Sequence, residues 1–112
     1  MADQGKILIT MPIPASTARG LLISGAGTLS ATLRAVGVTY EGTSASETIG
    51  QCQIGGIALV QGSGAINAGV PCRSDAAGKA VASAADGSDA DLVCCIPLET
   101  MADGVLSRCK IV

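Results

Sequence analysis

The chain has 112 residues, 48 % of them apolar and 14 % charged, with a formal net charge of −2, no His, and Tyr40 as the single aromatic. That length gives one domain around one core. Seven cations without a basic run, and one aromatic ring, exclude a phosphate-neutralising stripe and a base-stacking platform, so no direct nucleic-acid binding is expected. Without His, Ser-His-Asp and Cys-His catalysis fall away, and no local signature supports a Ser–Lys pair around Lys6, Lys79 or Lys110.

With no Trp or Phe and 15 Gly, the core has to be built from Ile, Leu, Val and Ala, in many short strands joined by tight turns. Such a chain gains from neighbours that cover its apolar faces, and oligomerisation is expected. Cys52, Cys72, Cys94, Cys95 and Cys109 are odd in number and contain no C-x-x-C spacing. They read as small buried hydrophobes of a protein made in a reducing cytoplasm, and neither a metal nor another cofactor is expected.

In chain order, residues 1–17 stand apart. Residues 1–5 are polar, and Ile7, Leu8, Ile9, Thr10, Met11, Pro12, Ile13 and Pro14 form an apolar, proline-punctuated run. The two prolines fix φ, remove two backbone donors and push their predecessors to extended geometry. That excludes a helix and a central strand, and predicts an extended N-terminal arm or an edge strand. Ala15, Ser16, Thr17 and Ala18 resemble a cleavage site. The prolines, and Asp3 where positive charge belongs, nonetheless argue against a signal peptide. No run of about 18 apolar residues occurs, so no transmembrane helix or membrane partner is expected. An apolar arm has to lie against something. Ile7, Ile9, Met11, Pro12, Ile13 and Pro14 are therefore the expected contacts to a neighbouring subunit, the alternative being that they form the first strand of the body.

Residues 18–112 read as a single β-rich domain. Leu21, Leu22 and Ile23 precede Gly25, Ala26 and Gly27; residues 28–35 fit a helical turn by the Leu29–Leu33 spacing and a strand by Ser and Thr content. Residues 42–48 are a polar loop, and residues 49–60 predict a strand with a bulge or close approach at Gly55 and Gly56. Residues 65–85 predict two short strands around tight turns, with Asp75 and Gly78 supplying turn chemistry. An acidic loop at 86–91 leads to a strand over 92–98, a loop over 99–104 and a closing strand over 105–112. In that last strand Val105, Ser107, Cys109 and Ile111 share one face, and Leu106, Arg108, Lys110 and Val112 the other. Turn signals every 8–12 residues point to a mainly β fold, a small barrel or sandwich.

Two motifs imitate binding sites. Gly25, Ala26, Gly27 and Ser30 follow an apolar run and precede Glu41, the layout of a dinucleotide fingerprint, but Ser30 replaces the third glycine and no strand–helix rhythm follows. Asp86, Asp89 and Asp91 cluster carboxylates as calcium loops do, yet the twelfth position is Pro97 counted from Asp86 and Thr100 counted from Asp89. A plain turn and a solvated acidic loop are the expected readings. The paired Asp89 and Asp91 lack the aromatic platforms a sugar site uses.

The C-terminal half carries a resemblance. Ile54, Gly55, Gly56, Ile57, Ala58 and Leu59 are followed by Ala68, Gly69, Val70 and Pro71, then by Ser74, Asp75, Ala76, Ala77, Gly78 and Lys79. After the acidic loop come Ile96, Pro97, Leu98, Glu99, Thr100, Met101, Ala102, Asp103 and Gly104. This succession over residues 54–112 resembles the small capsid cement or head-decoration proteins of tailed bacteriophages. It departs from them at Cys94, Cys95 and Pro97, where the family carries Gly or Ala before its Ala-Leu-Glu segment. Residues 1–53 match no family pattern. The resemblance implies a small β-barrel or sandwich on the outer surface of the virion, often trimeric. Its partners would be the major capsid protein and further copies of itself, and its role shell stabilisation without catalysis. A tail-tube or head–tail joining protein is the alternative virion role; a nucleotide-binding domain on the glycine loop is the alternative outside it.

Overall fold

The computed structural model describes residues 7–84 and 86–112, and among them nine strands form two antiparallel sheets. β1 (Ile7–Pro12), β4 (Ile49–Gly55), β3 (Ala35–Thr39) and β2 (Leu22–Ser24) lie in that order in the first sheet. β5 (Ile57–Gln61), β9 (Leu106–Ile111), β8 (Cys95–Pro97), β6 (Cys72–Ser74) and β7 (Ala80–Ala82) make the second. The architecture is a mainly β, sandwich-like pair of sheets and not a closed barrel.

The main core lies between the sheets. Leu22, Ala35 and Val38 from the first sheet meet Ala58, Val60, Cys72, Ala80, Cys95 and Cys109 from the second, with Ile66, Cys94 and Met101 from the connecting loops. A smaller cluster of Ile13, Ile23 and Cys52, with Met11 and Leu29 against it, covers the opposite face of the first sheet. Cysteines and alanines fill positions that aromatics would occupy in a roomier sandwich, so the sheets pack with small side chains between them.

One extended run serves both sheets. β4 ends at Gly55 and β5 begins at Ile57, and Gly56 between them holds φ at +80°, a conformation that favours glycine. The bulge expected at Gly55 and Gly56 is present as a register shift, Ile7 lying opposite Gly55 and Leu8 opposite Gln53, and it leads into a corner at which the chain leaves one sheet for the other. Buried Gln53 braces it, its Nε2 donating to the carbonyls of Gly55 at 2.9 Å and Ile57 at 2.8 Å.

The hairpin expected around Asp75 and Gly78 joins β6 to β7. Asp75 Oδ1 accepts the amides of Ala77 and Lys79, and Gly78 sits at φ +83° with its Cα against Leu21, Leu22 and Leu29 of the other sheet's strand and loop. A side chain at Gly78 would meet Leu29 Cδ2 at 2.7 Å, so Gly78 is packed against the other sheet while Ala76 and Ala77 stay exposed.

Other expectations change. Residues 28–34 form neither helix nor strand: Ser30 Oγ accepts the amides of Thr32 and Leu33, and this local turn replaces both. The strand expected over 92–98 shrinks to β8, because a single 3₁₀ turn at Ala90–Leu92 takes its start. Cys94 and Cys95 both face Cys72, the Cys94 amide donating to the Cys72 carbonyl and Cys95 being its Cα partner. This two-against-one pairing lets both thiols be buried. In β9, Ser107 and Cys109 point inward and Arg108 and Lys110 outward, the alternation read from the sequence.

The segment expected to stand apart as an arm is part of the first sheet from residue 7 onward; residues 1–6 lie outside the described residues. β1 pairs with β4 along its whole length, from Ile7 opposite Gly55 to Pro12 opposite Ile49. Its one proline, Pro12, is accommodated because β1 is an edge strand, where a missing donor costs no ladder bond.

Gln53→Met keeps the side-chain volume but leaves the Gly55 and Ile57 carbonyls without the amide. Loss of about 1–3 kcal/mol is expected, read as a lower urea midpoint at unchanged slope.

Candidate interaction surface

β1 and its surroundings make the largest run of exposed aliphatic side chains near one edge: Ile7 is 54 % exposed, Leu8 36 %, Ile9 38 % and, opposite Pro12 on β4, Ile49 60 %. The six residues expected to form a contact surface are split by the fold. Ile7, Ile9 and Pro12 are exposed and Met11 half-buried. Ile13 is 2 % exposed inside the protein's own second cluster. Pro14 is half-buried, and its carbonyl accepts the hydroxyls of Thr17 at 2.6 Å and Thr43 at 2.7 Å. These bonds and the Ile13 amide, which donates to Thr48 at 2.9 Å, bind the chain after β1 into the body. Leu8 was not among the expected contacts, although its place in the same apolar run marked it.

A second patch lies on the solvent face of the five-stranded sheet. Arg108 on β9 sits between Leu59 on β5 and Leu98 just after β8, and Lys110 between Ile57 and Ile96. Leu59 and Leu98 are exposed. Arg108 is anchored by Glu99, whose Oε2 accepts its backbone amide at 2.8 Å and its Nε at 3.4 Å. Those bonds, the amide foremost, hold the Glu99 carboxyl below its ordinary pKa.

The two motifs that imitate binding sites are explained by local bonding. Gly25 to Thr28 form a turn in which Gly27 N–H donates to the Ser24 carbonyl and the Ser24 amide to Thr28, and no helix follows to receive a pyrophosphate. In the acidic loop, Asp86 accepts the Ser88 amide, which lowers its pKa, and Asp89 takes the Arg73 guanidinium at 2.6 Å and the Ala84 amide at 2.8 Å. Their oxygens are directed to these partners, and no group of three or more ligating side chains among the described residues could hold a metal ion.

All five cysteines are free and buried. Burial pushes the Cys52 thiol up to about 11. Hydrogen bonding to the Cys109, Cys72 and Cys94 thiols, with burial added, keeps Cys95 protonated. Neither arrangement prepares a reactive thiolate with access to solvent.

With this geometry in place, the fold can be compared. It is similar to that of the N base of head fiber gp8.5 in bacteriophage phi29, with a TM-score of 0.52 and 18 % identity over 95 % of this chain and 95 % of that one. The likeness is one of fold. No family model matches the chain, and no curated protein does.

Native protein treated with iodoacetamide at pH 8 is expected to stay unmodified at all five cysteines over the time in which denatured protein is fully alkylated, read by intact mass. Rapid labelling of Cys52 in the native state would contradict its burial.

Proposed function

We propose that this chain is a structural component of a tailed-phage virion that works by binding, not catalysis, and that it sits on the outside of the head as a cement or decoration protein. The carrying observation is the fold likeness, over nearly the whole of both chains, to a protein described as the base of a phage head fiber. The resemblance of residues 54–112 to the cement family supports the same placement from the sequence side. The exposed aliphatic edge at Ile7, Leu8, Ile9 and Ile49, and the Leu59–Arg108–Leu98 row, are surfaces suited to burial on a neighbour. The partners in this reading are the major capsid protein and further copies of the chain. Shell stabilisation would come from surface buried across capsid subunits, less the cost of ordering the contact.

The fold likeness favours a second reading within the same class: the base on which a head appendage is mounted. The two differ in copy number. A cement protein is present near one copy per capsid subunit or at a fixed large fraction of it; a mounting base follows the number of appendages.

Added to purified heads that lack it, the chain is expected to co-sediment and saturate at a fixed fraction of the capsid subunit, and to raise the temperature at which the heads release DNA. Saturation at few copies without thermal protection supports the mounting base. No co-sedimentation overturns both. Truncation through residue 14 is a poor probe, since it removes Ile13 from the core.

A further inference from the structure

We propose that β1 is a self-pairing edge: two copies of this chain join antiparallel through Leu8 and Thr10 about a two-fold axis at Ile9, fusing two four-stranded sheets into one of eight strands.

The sandwich has four sheet edges, and the chain's own backbone engages three of them. At β2, the Leu22 amide donates to the carbonyl of buried Gly78 in the hairpin turn at 2.7 Å. At β5, the Gln61 amide donates to the Gly20 carbonyl at 2.8 Å, and the Ile57 carbonyl takes the Gln53 side chain. At β7, the Ala80 carbonyl accepts the Ser63 amide at 2.9 Å. At β1, the side turned away from β4 has no such tie among the described residues.

Which groups of β1 face outward follows from the ladder. Ile13 donates to Thr48 directly opposite it, which makes 13 and 48 a hydrogen-bonded pair. Antiparallel pairs alternate, so Met11 and Ile9 bond to β4, while Leu8, Thr10 and Pro12 turn their backbone groups away. The Tyr40 amide, donating to Gln51 from the far side of β4, has the matching phase. Pro12 has no N–H and is packed by Gly27, whose Cβ position would lie 2.8 Å from the Pro12 carbonyl oxygen. Among the described residues the free edge is therefore two residues, each with one donor and one acceptor.

A second copy completes that set. With Ile9 opposite Ile9 of the partner subunit, Leu8 lies opposite the partner's Thr10, and Thr10 opposite the partner's Leu8. Each such pair exchanges two hydrogen bonds, so all four outward donors and all four acceptors are used and Pro12 stays outside the pairing. The Ile9 side chains meet across the axis at a non-hydrogen-bonded pair, where side chains approach closest. Edge strands that must stay single carry charges; none lies between Lys6 and Arg19. A ring of three would need β1 to pair with a different edge of the next copy, and those edges are engaged. This contact is consequently two-fold, unlike the three-fold clusters the cement resemblance implies. It is measured in solution, so it stands or falls apart from docking on a head.

The test is charge exchange at the axis, on the full chain by analytical ultracentrifugation at high micromolar concentration. The unaltered chain is expected to be a dimer. Ile9→Lys and Ile9→Glu, exposed positions whose backbone bonds to β4 are kept, are each expected to weaken it by about tenfold or more with unchanged far-ultraviolet circular dichroism. An equimolar mixture of the two is expected to dimerise again. Thr10→Pro, which removes an outward N–H that β4 does not use, supplies a second variant and is expected to weaken the dimer without opposing charges. A monomer or trimer of the unaltered chain, dimers indifferent to these changes, or a Lys–Glu mixture that fails to recover would overturn the proposal.

Discussion

The shortage of large side chains governs this structure. Without Phe or Trp, no single residue can span the gap between two sheets, so the sheets come together over cysteine, alanine, valine and leucine. Cys52, Cys72, Cys95 and Cys109 are fully buried and act as methyl-sized fillers with a weak donor. A core of small pieces gains little per residue, and the backbone has to supply more of the connection. It does so at the Gly56 corner braced by Gln53, and where the hairpin turn at Gly78 is packed against Leu21 and Leu22.

Those connections also decide what remains open to a partner. Tying β2 to the hairpin turn, β5 to Gly20 and β7 to Ser63 engages three of the four sheet edges, and among the described residues no such tie is made on the outer side of β1. The aliphatic side chains left exposed around β1 are then a consequence of topology: Ile13, from the same run, turned inward and became core, while Leu8 and Ile9 stayed outside.

Several parts of this were legible beforehand. The proline-bearing run was read as an extended arm or an edge strand because proline cannot donate to a ladder, and β1 is an edge strand. Asp75 and Gly78 announced a tight hairpin, and the alternation through Ser107, Cys109 and Arg108 gave the two faces of β9. Residues 28–34 were not legible, since Leu29 and Leu33 fitted a helix while the Ser30 hydroxyl made a local turn. Of the expected contact residues, Ile13 and Pro14 belong to the body, and the pattern that marked them as apolar could not say which side of the chain's own sheet would claim them.

The sequence by itself determined the class of the protein: short strands, small core, no imidazole chemistry, no basic stripe, turns where Asp and Gly coincide. These are local properties, fixed by composition and by dihedral preferences within a few residues. Only the tertiary structure decided that residues 49–61 serve two sheets, that Cys94 and Cys95 both face Cys72, and that, among the described residues, the outer side of β1 is the edge not tied down. Each of those depends on which distant segment arrives alongside. Hydrogen-bond partners such as Gly78 for Leu22 or Gly20 for Gln61 are separated by tens of residues, and no local pattern records them.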